Sequence, residues 1–279
     1  MDISFTTTQK ERLIELGANE HAAMTFATKD ECGKKFAELE KALCRESRKK
    51  IKHLLSEKRA SEVWDITGRL ETWLKDEMGF TKVSTPTIIS GDMLEKMSID
   101  EENHLREQVF WLEANKCLRP MLAPGLYVMM RELHRITNGP VRIFESGSCF
   151  RKESQGALHL NEFTMLNFVE LAACGEGEQS ERLEFMAKTV MEAVGIKDYE
   201  LVKENSEVYG ETLDVVVSGV ELASGAYGPG KLDPAWGVFR PWVGIGFGIE
   251  RIALVKGGYK NIKKVGRSVS FIDGISLSV

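Results

Sequence analysis

The stretch FRKESQGALHLNEFTMLNF, residues 150–168, contains two strand-like runs around a polar loop and predicts a β-hairpin. Strand alternation places Arg151 and Glu153 on one face. A guanidinium suits a phosphate, a carboxylate suits an exocyclic amine, and Phe163 offers a flat surface for a base. The hairpin therefore favours a nucleotide site. A surface hairpin with a cross-strand ion pair is the alternative interpretation.

A second stretch, GIGFGIERI at residues 244–252, has a glycine at every second position of a predicted strand. One strand face is then bare, so that a flat ligand can lie against the backbone. The spacing differs from the GxGxxG of a dinucleotide-binding turn. In the preceding segment, VELASGAYGPG at 220–230, Glu221 either holds a divalent cation beside phosphates or forms a surface salt bridge.

Hydrophobic periodicity divides the chain near residue 60. Residues 1–60 predict a helical, basic segment: a short helix with a capping box at Thr8 and Glu11, then an amphipathic helix over 29–58. Residues 61–279 form the predicted main domain, beginning with a helix over 61–78. After Gly79 the expected strands are 80–85, 109–112, 141–150, 161–171 and 213–217, interrupted by helices near 125–137 and 178–194. This mixed order favours an α+β fold with an antiparallel sheet.

Charge is unevenly distributed. The 37 Lys and Arg against 42 Asp and Glu give a formal net charge of −5, yet residues 41–60 hold eight basic and two acidic residues. Residues 256–267 hold five basic and no acidic ones. Two local patches on an acidic chain fit a polyanion bound at defined places. A solvated helix face and a basic loop are the alternative.

Composition also excludes several classes of protein. No apolar run reaches the roughly 18 residues of a membrane span, and the start lacks an export signal. The five cysteines are widely spread without a CxxC pair, which predicts a reducing, cytoplasmic location.

Three segments in order carry a family resemblance. The predicted helix followed by GFTKVSTPTIIS with Pro86 (79–90), FRKE with its downstream HxxxF, and GxGxGxER resemble motifs 1, 2 and 3 of class II aminoacyl-tRNA synthetases. LRPMLAPGLYVMMREL (118–133), IFESGSCFRKES (143–154), VYGETLDV (208–215) and PWVGIGFGIER (241–251) are similar to the pyrrolysyl-tRNA synthetase family. The short basic N-terminus resembles the subgroup without a separate N-terminal tRNA-binding domain. Gly125 and LASGAYGP (222–229) depart from the family's usual residues.

The resemblance implies a class II catalytic core, an antiparallel sheet flanked by helices, that binds ATP with Mg²⁺. Arg151 and Arg251 would be catalytic, with Arg151 on the α-phosphate and Glu153 reading the adenine edge. Phe163 and Arg251 would sandwich the adenine, and Gly248 would contact ATP. His159 would lie near the terminal phosphates, and Glu221 and Ser224 would hold Mg²⁺ and phosphate.

The resemblance also implies a deep, mostly apolar pocket for the amino acid. Asn167 would bind the amide carbonyl of an acylated lysine and Tyr209 a ring nitrogen. The other implied members are Ala123, Leu126, Tyr127, Met130, Val169, Gly225, Ala226, Trp242 and Gly244. A helix packing face is the alternative for Leu126, Tyr127 and Met130.

The function expected from the resemblance is ATP-dependent activation of pyrrolysine and its transfer to the 3′ end of a cognate tRNA. The basic patches would contact that tRNA, and motif 1 would form a homodimer interface. Two alternatives remain open: a class II core acting on another amino acid such as phenylalanine, and a catalytically silent tRNA-binding paralogue.

Overall fold

A computed structural model describes residues 3–58, 60–152 and 156–279 of the chain. These residues divide into two compact units, one reaching to Glu62 and including Lys263–Val279, the other comprising Val63–Ile262. The sequence predicted a division at residue 60 with everything after it in one domain. The structure instead groups residues 263–279 with the N-terminal helices.

The five helices predicted over residues 1–194 begin and end within a few residues of the predicted positions, whereas two short helices at 91–95 and 233–236 were not predicted. Their bounds are α1 (Thr7–Glu15), α2 (Lys29–Glu57), α3 (Glu62–Asp76), α4 (Gly91–Glu95), α5 (Ala123–Thr137), α6 (Gln179–Val194), α7 (Asp233–Trp236) and α8 (Ile249–Lys256). Short 3-10 turns lie at Asn19–His21, His104–Gln108 and Ile262–Lys264.

The strands differ more from expectation. Their bounds are β1 (Ile3–Ser4), β2 (Thr25–Phe26), β3 (Thr81–Lys82), β4 (Ile88–Ser90), β5 (Trp111–Glu113), β6 (Lys116–Leu118), β7 (Val141–Phe150), β8 (Glu162–Leu171), β9 (Glu200–Ser206), β10 (Gly210–Val217), β11 (Val220–Gly228), β12 (Trp242–Gly248), β13 (Phe271–Ile272) and β14 (Ile275–Ser276). The segment 80–85 forms only the two-residue β3. Strands β9 and β11 were missed, because the first is polar and the second is rich in glycine, serine and alanine.

A seven-stranded sheet organises the larger unit, in the order β3-β7-β8-β12-β11-β10-β9. Among the strands that the structure describes, β3 and β7 alone pair in parallel. The α+β class with an antiparallel sheet is therefore confirmed. Helix α5 packs against β7 and β8, and α6 packs against β11 and β12. A separate three-stranded sheet has the order β4-β6-β5.

The smaller unit is held together by a local cap and a compact apolar cluster. The capping box predicted at Thr8 and Glu11 is instead formed by Thr6 and Gln9, because the helix starts earlier and a glutamine serves as the acceptor. A second capping box at Thr28 and Glu31 begins α2. Beneath these caps, Phe5, Leu13 and Cys32 are buried, and the apolar side of α2 packs on them.

A buried ion pair connects β7 to the segment after β6, which carries Arg119, and to the segment after β3, which carries Thr85. Arg119 Nη1 donates to Glu145 Oε1 over 2.6 Å, with side-chain exposures of 6% and 2%. The same guanidinium donates to Ser148 O at 2.9 Å and to Thr85 O at 3.1 Å, while Thr85 Oγ1 donates to Glu145 Oε2 at 2.7 Å. Both carboxylate oxygens are thus satisfied within the protein.

We expect Glu145→Ala to lower the free energy of unfolding by about 3–5 kcal/mol, because it leaves the Arg119 guanidinium buried without its counter-charge. The exposed Asp65–Arg69 pair on α3 supplies the control, Asp65→Ala, for which the loss should stay below about 1 kcal/mol. Urea denaturation measures both values. A loss for Glu145→Ala no larger than that of the control would contradict this role.

Candidate active site

A cavity of about 420 Å³ lies over one face of the seven-stranded sheet, within the unit Val63–Ile262. Residues of β8, β12, β11 and β10 line its floor. The register brings Asn167, Gly246, Ser224 and Asp214 into one row across these four strands. Residues far apart in sequence therefore line one continuous space.

One end of the cavity carries the cationic groups that the sequence predicted for a nucleotide. Arg151 follows β7, and its guanidinium lies over the Phe163 ring at 5.4 Å from the ring centroid. Its Nε donates to Pro120 O at 2.9 Å, which fixes the side chain beside the start of α5. The predicted members at this end that line the cavity are Arg151, His159, Phe163, Glu221, Ser224, Gly248 and Arg251. Glu153 lies outside the described residues.

Arg251, in the first turn of α8, is held by β11. Its Nη1 donates to Glu221 O at 2.9 Å and lies 3.3 Å from Glu221 Oε1. Since the Arg151 guanidinium covers one face of Phe163, a base stacked between Phe163 and Arg251 would use the opposite face of the ring. Arg151 and Arg251 thus present two cations along the same end of the cavity.

Glu250 anchors this end, and the sequence analysis gave it no role. Its carboxylate is 1% exposed and accepts hydrogen bonds from the backbone N of Thr164, at 2.8 and 2.9 Å, and from Thr164 Oγ1 at 2.9 Å. These hydrogen bonds tie the start of α8 to β8. Arg251 is therefore positioned by its buried neighbour in sequence.

The oxygen donors along the cavity determine whether a divalent metal ion could bind there. Within residues 3–58, 60–152 and 156–279, no cluster of three or more His, Cys, Asp or Glu side chains could hold a metal ion by itself. Glu221 and Ser224 offer one carboxylate and one hydroxyl along the cavity. Mg²⁺ commonly takes one or two protein oxygens and completes its shell with phosphates and water. The donors therefore fit a magnesium ion carried by a nucleotide.

The other end of the cavity is apolar and aromatic. The predicted members there that line the cavity are Ala123, Leu126, Tyr127, Met130, Asn167, Val169, Tyr209, Gly225, Ala226, Trp242 and Gly244. Leu126, Tyr127 and Met130 also belong to the buried core, so the helix packing face and the pocket wall are the same surface. A side chain on Gly225 would meet Leu183 of α6, so this glycine offers only its backbone to the cavity.

The glycines of β12 leave space for a ligand. A Cβ atom built on Gly244 would lie 3.5 Å from the Val169 and Trp242 side chains. One on Gly246 would lie 3.4 Å from Asn167 Oδ1. Larger side chains at these two positions would extend into the cavity, as the bare strand face in the sequence predicted.

Two polar groups stand among the apolar walls. Asn167 Nδ2 donates to Ile245 O at 2.9 Å and makes a longer contact with Phe168 O at 3.5 Å, which together orient the amide. Burial, with the negative charge of Asp233 as a second cause, raises the pKa of Tyr209. The Tyr209 hydroxyl therefore stays protonated at neutral pH and can donate a hydrogen bond.

Other lining residues were missed by the sequence analysis. Met165 could have been found by alternation between Phe163 and Asn167, which lie on the same face of β8. Thr212 and Asp214 of β10 are brought in only by strand pairing. Ile99 and Met121 come from irregular segments and Leu105 from a short 3-10 turn, for which the sequence offers no periodic signal.

One known protein family and several curated proteins are similar to parts of this chain. The family described as tRNA synthetases class II core domain (F) matches residues 55–274. A threonine--tRNA ligase from Methylobacillus flagellatus is 32% identical over 103 residues, 34% of this chain and 16% of that protein. An O-phosphoserine--tRNA(Cys) ligase from Methanocorpusculum labreanum is 26% identical over 161 residues, 53% of this chain and 30% of that protein. The chain thus spans less than a third of these curated relatives.

Solved structures match over nearly the whole chain. A pyrrolysyl-tRNA synthetase from Desulfitobacterium hafniense superposes with a TM-score of 0.91 and 46% identity, covering 99% of both chains. A second structure from that organism, PylSc, has a TM-score of 0.88 and 45% identity, covering 99% of this chain and 96% of the other. Among the described residues no helix is long and apolar enough to cross a membrane. With the family match extending over residues 55–274 and the segments that resemble motifs 2 and 3 meeting at one cavity, the chain belongs to the class II tRNA synthetases.

Proposed function

We propose that this chain activates pyrrolysine, or a lysine acylated on Nε, with ATP and transfers it to the 3′ end of a tRNA. One cavity with cationic groups at one end and aromatic side chains at the other supports this proposal. An acylated lysine is long and neutral at its tip, which suits this shape. The ammonium of free lysine would be desolvated there at high cost.

The proposed chemistry depends on positioning. The substrate carboxylate is already ionised at neutral pH, so it attacks the α-phosphorus without a general base and pyrophosphate leaves. Arg151 would neutralise charge on the α-phosphate, Phe163 and Arg251 would hold the base, and His159 would lie near the leaving phosphates. Mg²⁺, bound through Glu221 and Ser224, would shield the phosphate charges. A terminal hydroxyl of tRNA then attacks the carbonyl carbon, and AMP leaves.

The roles proposed for the amino-acid pocket follow from its polar groups. The Asn167 amide nitrogen, whose contact with Phe168 O is long at 3.5 Å, would donate to the acyl carbonyl, and the Tyr209 hydroxyl would donate to a ring nitrogen. The surrounding walls would exclude water and select for the length of the acyl group. We place the protein in the cytoplasm, where ATP and tRNA are present.

A homodimer is proposed on exposed apolar residues near motif 1. Ile88 of β4 and Leu112 of β5 are 51% and 52% exposed on the small sheet, and Trp64 of α3 is also exposed. Exposed large apolar side chains of this kind are typical of interaction surfaces. A second copy related by a twofold axis is the simplest partner.

ATP–pyrophosphate exchange with the twenty standard amino acids, pyrrolysine and Nε-acyl-lysines tests the proposed function. We expect exchange only with pyrrolysine and the acylated lysines. Exchange with phenylalanine would retain the class II chemistry and overturn the substrate. ATP binding without exchange for any acid would favour a silent tRNA-binding paralogue.

Arg151→Ala should reduce the rate of adenylate formation by about 10²-fold or more, because a preorganised charge on the transferring phosphoryl group is removed. Arg135→Ala, which removes an exposed cation of the same unit paired with Glu132, is the matched control and should leave the rate unchanged. Single-turnover kinetics measure both. An Arg151→Ala rate close to that of the control would remove this residue from the mechanism.

The basic face of α2 supports tRNA binding. Lys41, Arg45, Arg48, Lys49 and Lys52 are exposed, and none makes an ion pair with a described carboxylate. By contrast, Lys34 near the start of α2 pairs with Asp30 at 2.7 Å. In the second patch, Lys264 donates to Ile14 O at 2.9 Å and so supports the smaller unit. The α2 face is therefore the stronger candidate for binding phosphates.

Arg45→Ala with Arg48→Ala should raise the Kd for tRNA about tenfold at low salt and reduce the slope of log Kd against log salt by about one for each phosphate that is no longer neutralised. Lys34→Ala, on the same helix, should change neither quantity. Fluorescence titration at several salt concentrations provides the values. Equal behaviour of the double variant and the control would exclude this face from tRNA binding.

A further inference from the structure

A carboxylate with only neutral hydrogen-bond donors lies behind the closed end of the cavity. Asp233, at the start of α7, is 1% exposed and is not among the lining residues. Its Oδ1 accepts from Tyr127 Oη at 2.9 Å, and its Oδ2 accepts from Trp242 Nε1 at 2.9 Å and from the backbone N of Gly230. No Lys, Arg or His of the described residues forms an ion pair with it. Its hydrogen bonds therefore fix geometry rather than neutralise charge.

Two of these three donors are walls of the cavity. Tyr127 and Trp242 line its aromatic end and meet edge to face, with ring centroids 5.5 Å apart at 73°. Tyr127 stacks on Trp236 behind it, at 5.1 Å and 15°. The Tyr209 ring lies near Trp242 at the same end of the cavity, with 6.3 Å between the two ring centroids. Asp233, which does not line the cavity, accepts hydrogen bonds from the polar atoms of both rings, Tyr127 Oη and Trp242 Nε1.

The approach of Asp233 to Trp242 requires a glycine beside it. A Cβ atom on Gly228 would lie 2.1 Å from Trp242 Nε1 and 2.3 Å from Asp233 Oδ2. Any side chain there would force the carboxylate and the indole apart. The glycine at the end of β11 therefore leaves the space in which Asp233 and Trp242 form their hydrogen bond.

We propose that Asp233 is a positioning residue that holds the Tyr127 and Trp242 rings in place and so sets the size of acyl group that the cavity accepts. The inference rests on the proposed function, since it concerns the acyl group of the lysine. Packing restricts a buried aromatic ring to a rotamer well, and a hydrogen bond to its polar edge narrows its position further. One buried acceptor shared by two walls makes their positions interdependent.

Asparagine separates geometry from charge at this position. In Asp233→Asn the amide oxygen can accept from Trp242 and Gly230, while the amide nitrogen donates to the Tyr127 hydroxyl, which also accepts. All three hydrogen bonds are kept while the charge is removed. Asp233→Ala removes all three hydrogen bonds.

The test is ATP–pyrophosphate exchange with lysines carrying acetyl, butanoyl, cyclopentanecarbonyl and benzoyl groups on Nε. Removing the hydrogen bonds to both rings in Asp233→Ala should raise KM for the best wild-type substrate about tenfold and shift the kcat/KM ratio of the largest to the smallest acyl group by a similar factor. Asp233→Asn should keep the wild-type order of substrates. KM for ATP should remain unchanged in both, because the nucleotide end is separate.

The results distinguish failure of the positioning role of Asp233 from failure of the proposed function. An unchanged substrate order in folded Asp233→Ala, or an equal loss of selectivity in Asp233→Asn, would overturn the positioning role while the proposed function stands. A wild-type chain inactive with every acyl-lysine would overturn both. If Asp233→Ala does not fold, Gly228→Ala replaces it, since the added methyl group separates the pair without removing the charge; unchanged selectivity there would likewise overturn the role.

Discussion

The pairing of β12 between β8 and β11 is the constraint on which the site depends. Gly244, Gly246 and Gly248 alternate with the buried Val243, Ile245 and Phe247, so one face of this strand packs on the core and the other is bare. The register sets these glycines opposite Val169, Asn167 and Met165. A shift by one residue would turn the bulky side chains into the cavity and the glycines into the core. The cavity and the core therefore depend on the same strand register.

Both ends of the cavity are stabilised by buried carboxylates outside the reacting groups. Glu250 connects α8 to β8 behind Arg251, and Asp233 connects α5 to β12 behind Tyr127. Each accepts several hydrogen bonds, which offsets the cost of burying its oxygens. Binding side chains that are themselves supported in this way lose less conformational freedom when a ligand arrives.

Local sequence patterns predicted the longer helices, the hairpin around residues 150–168 and the α+β class, because these depend on periodicity and turn residues. Patterns did not predict β11, whose small residues have little strand preference, or the grouping of residues 263–279 with the N-terminal helices. The family resemblance supplied the pocket members, and all of them within the described residues line the cavity. Asp233 and Glu250 were found by neither approach, since a buried acceptor is recognised only through partners distant in the chain.

The arrangement of β8 explains how chemistry and selectivity can be separated in one cavity. Phe163, Met165, Asn167 and Val169 occupy alternate positions of one strand, and from Phe163 to Val169 the backbone advances about 20 Å. That length suits the proposed substrates, a nucleotide followed by an extended, acylated lysine. Since the strand is rigidly paired on both sides, the distance from the Asn167 amide to the phosphate-binding groups is fixed by the sheet. Under the proposed function, changes at the aromatic end would then alter which acyl group fits while the carboxylate of the amino acid stays in place.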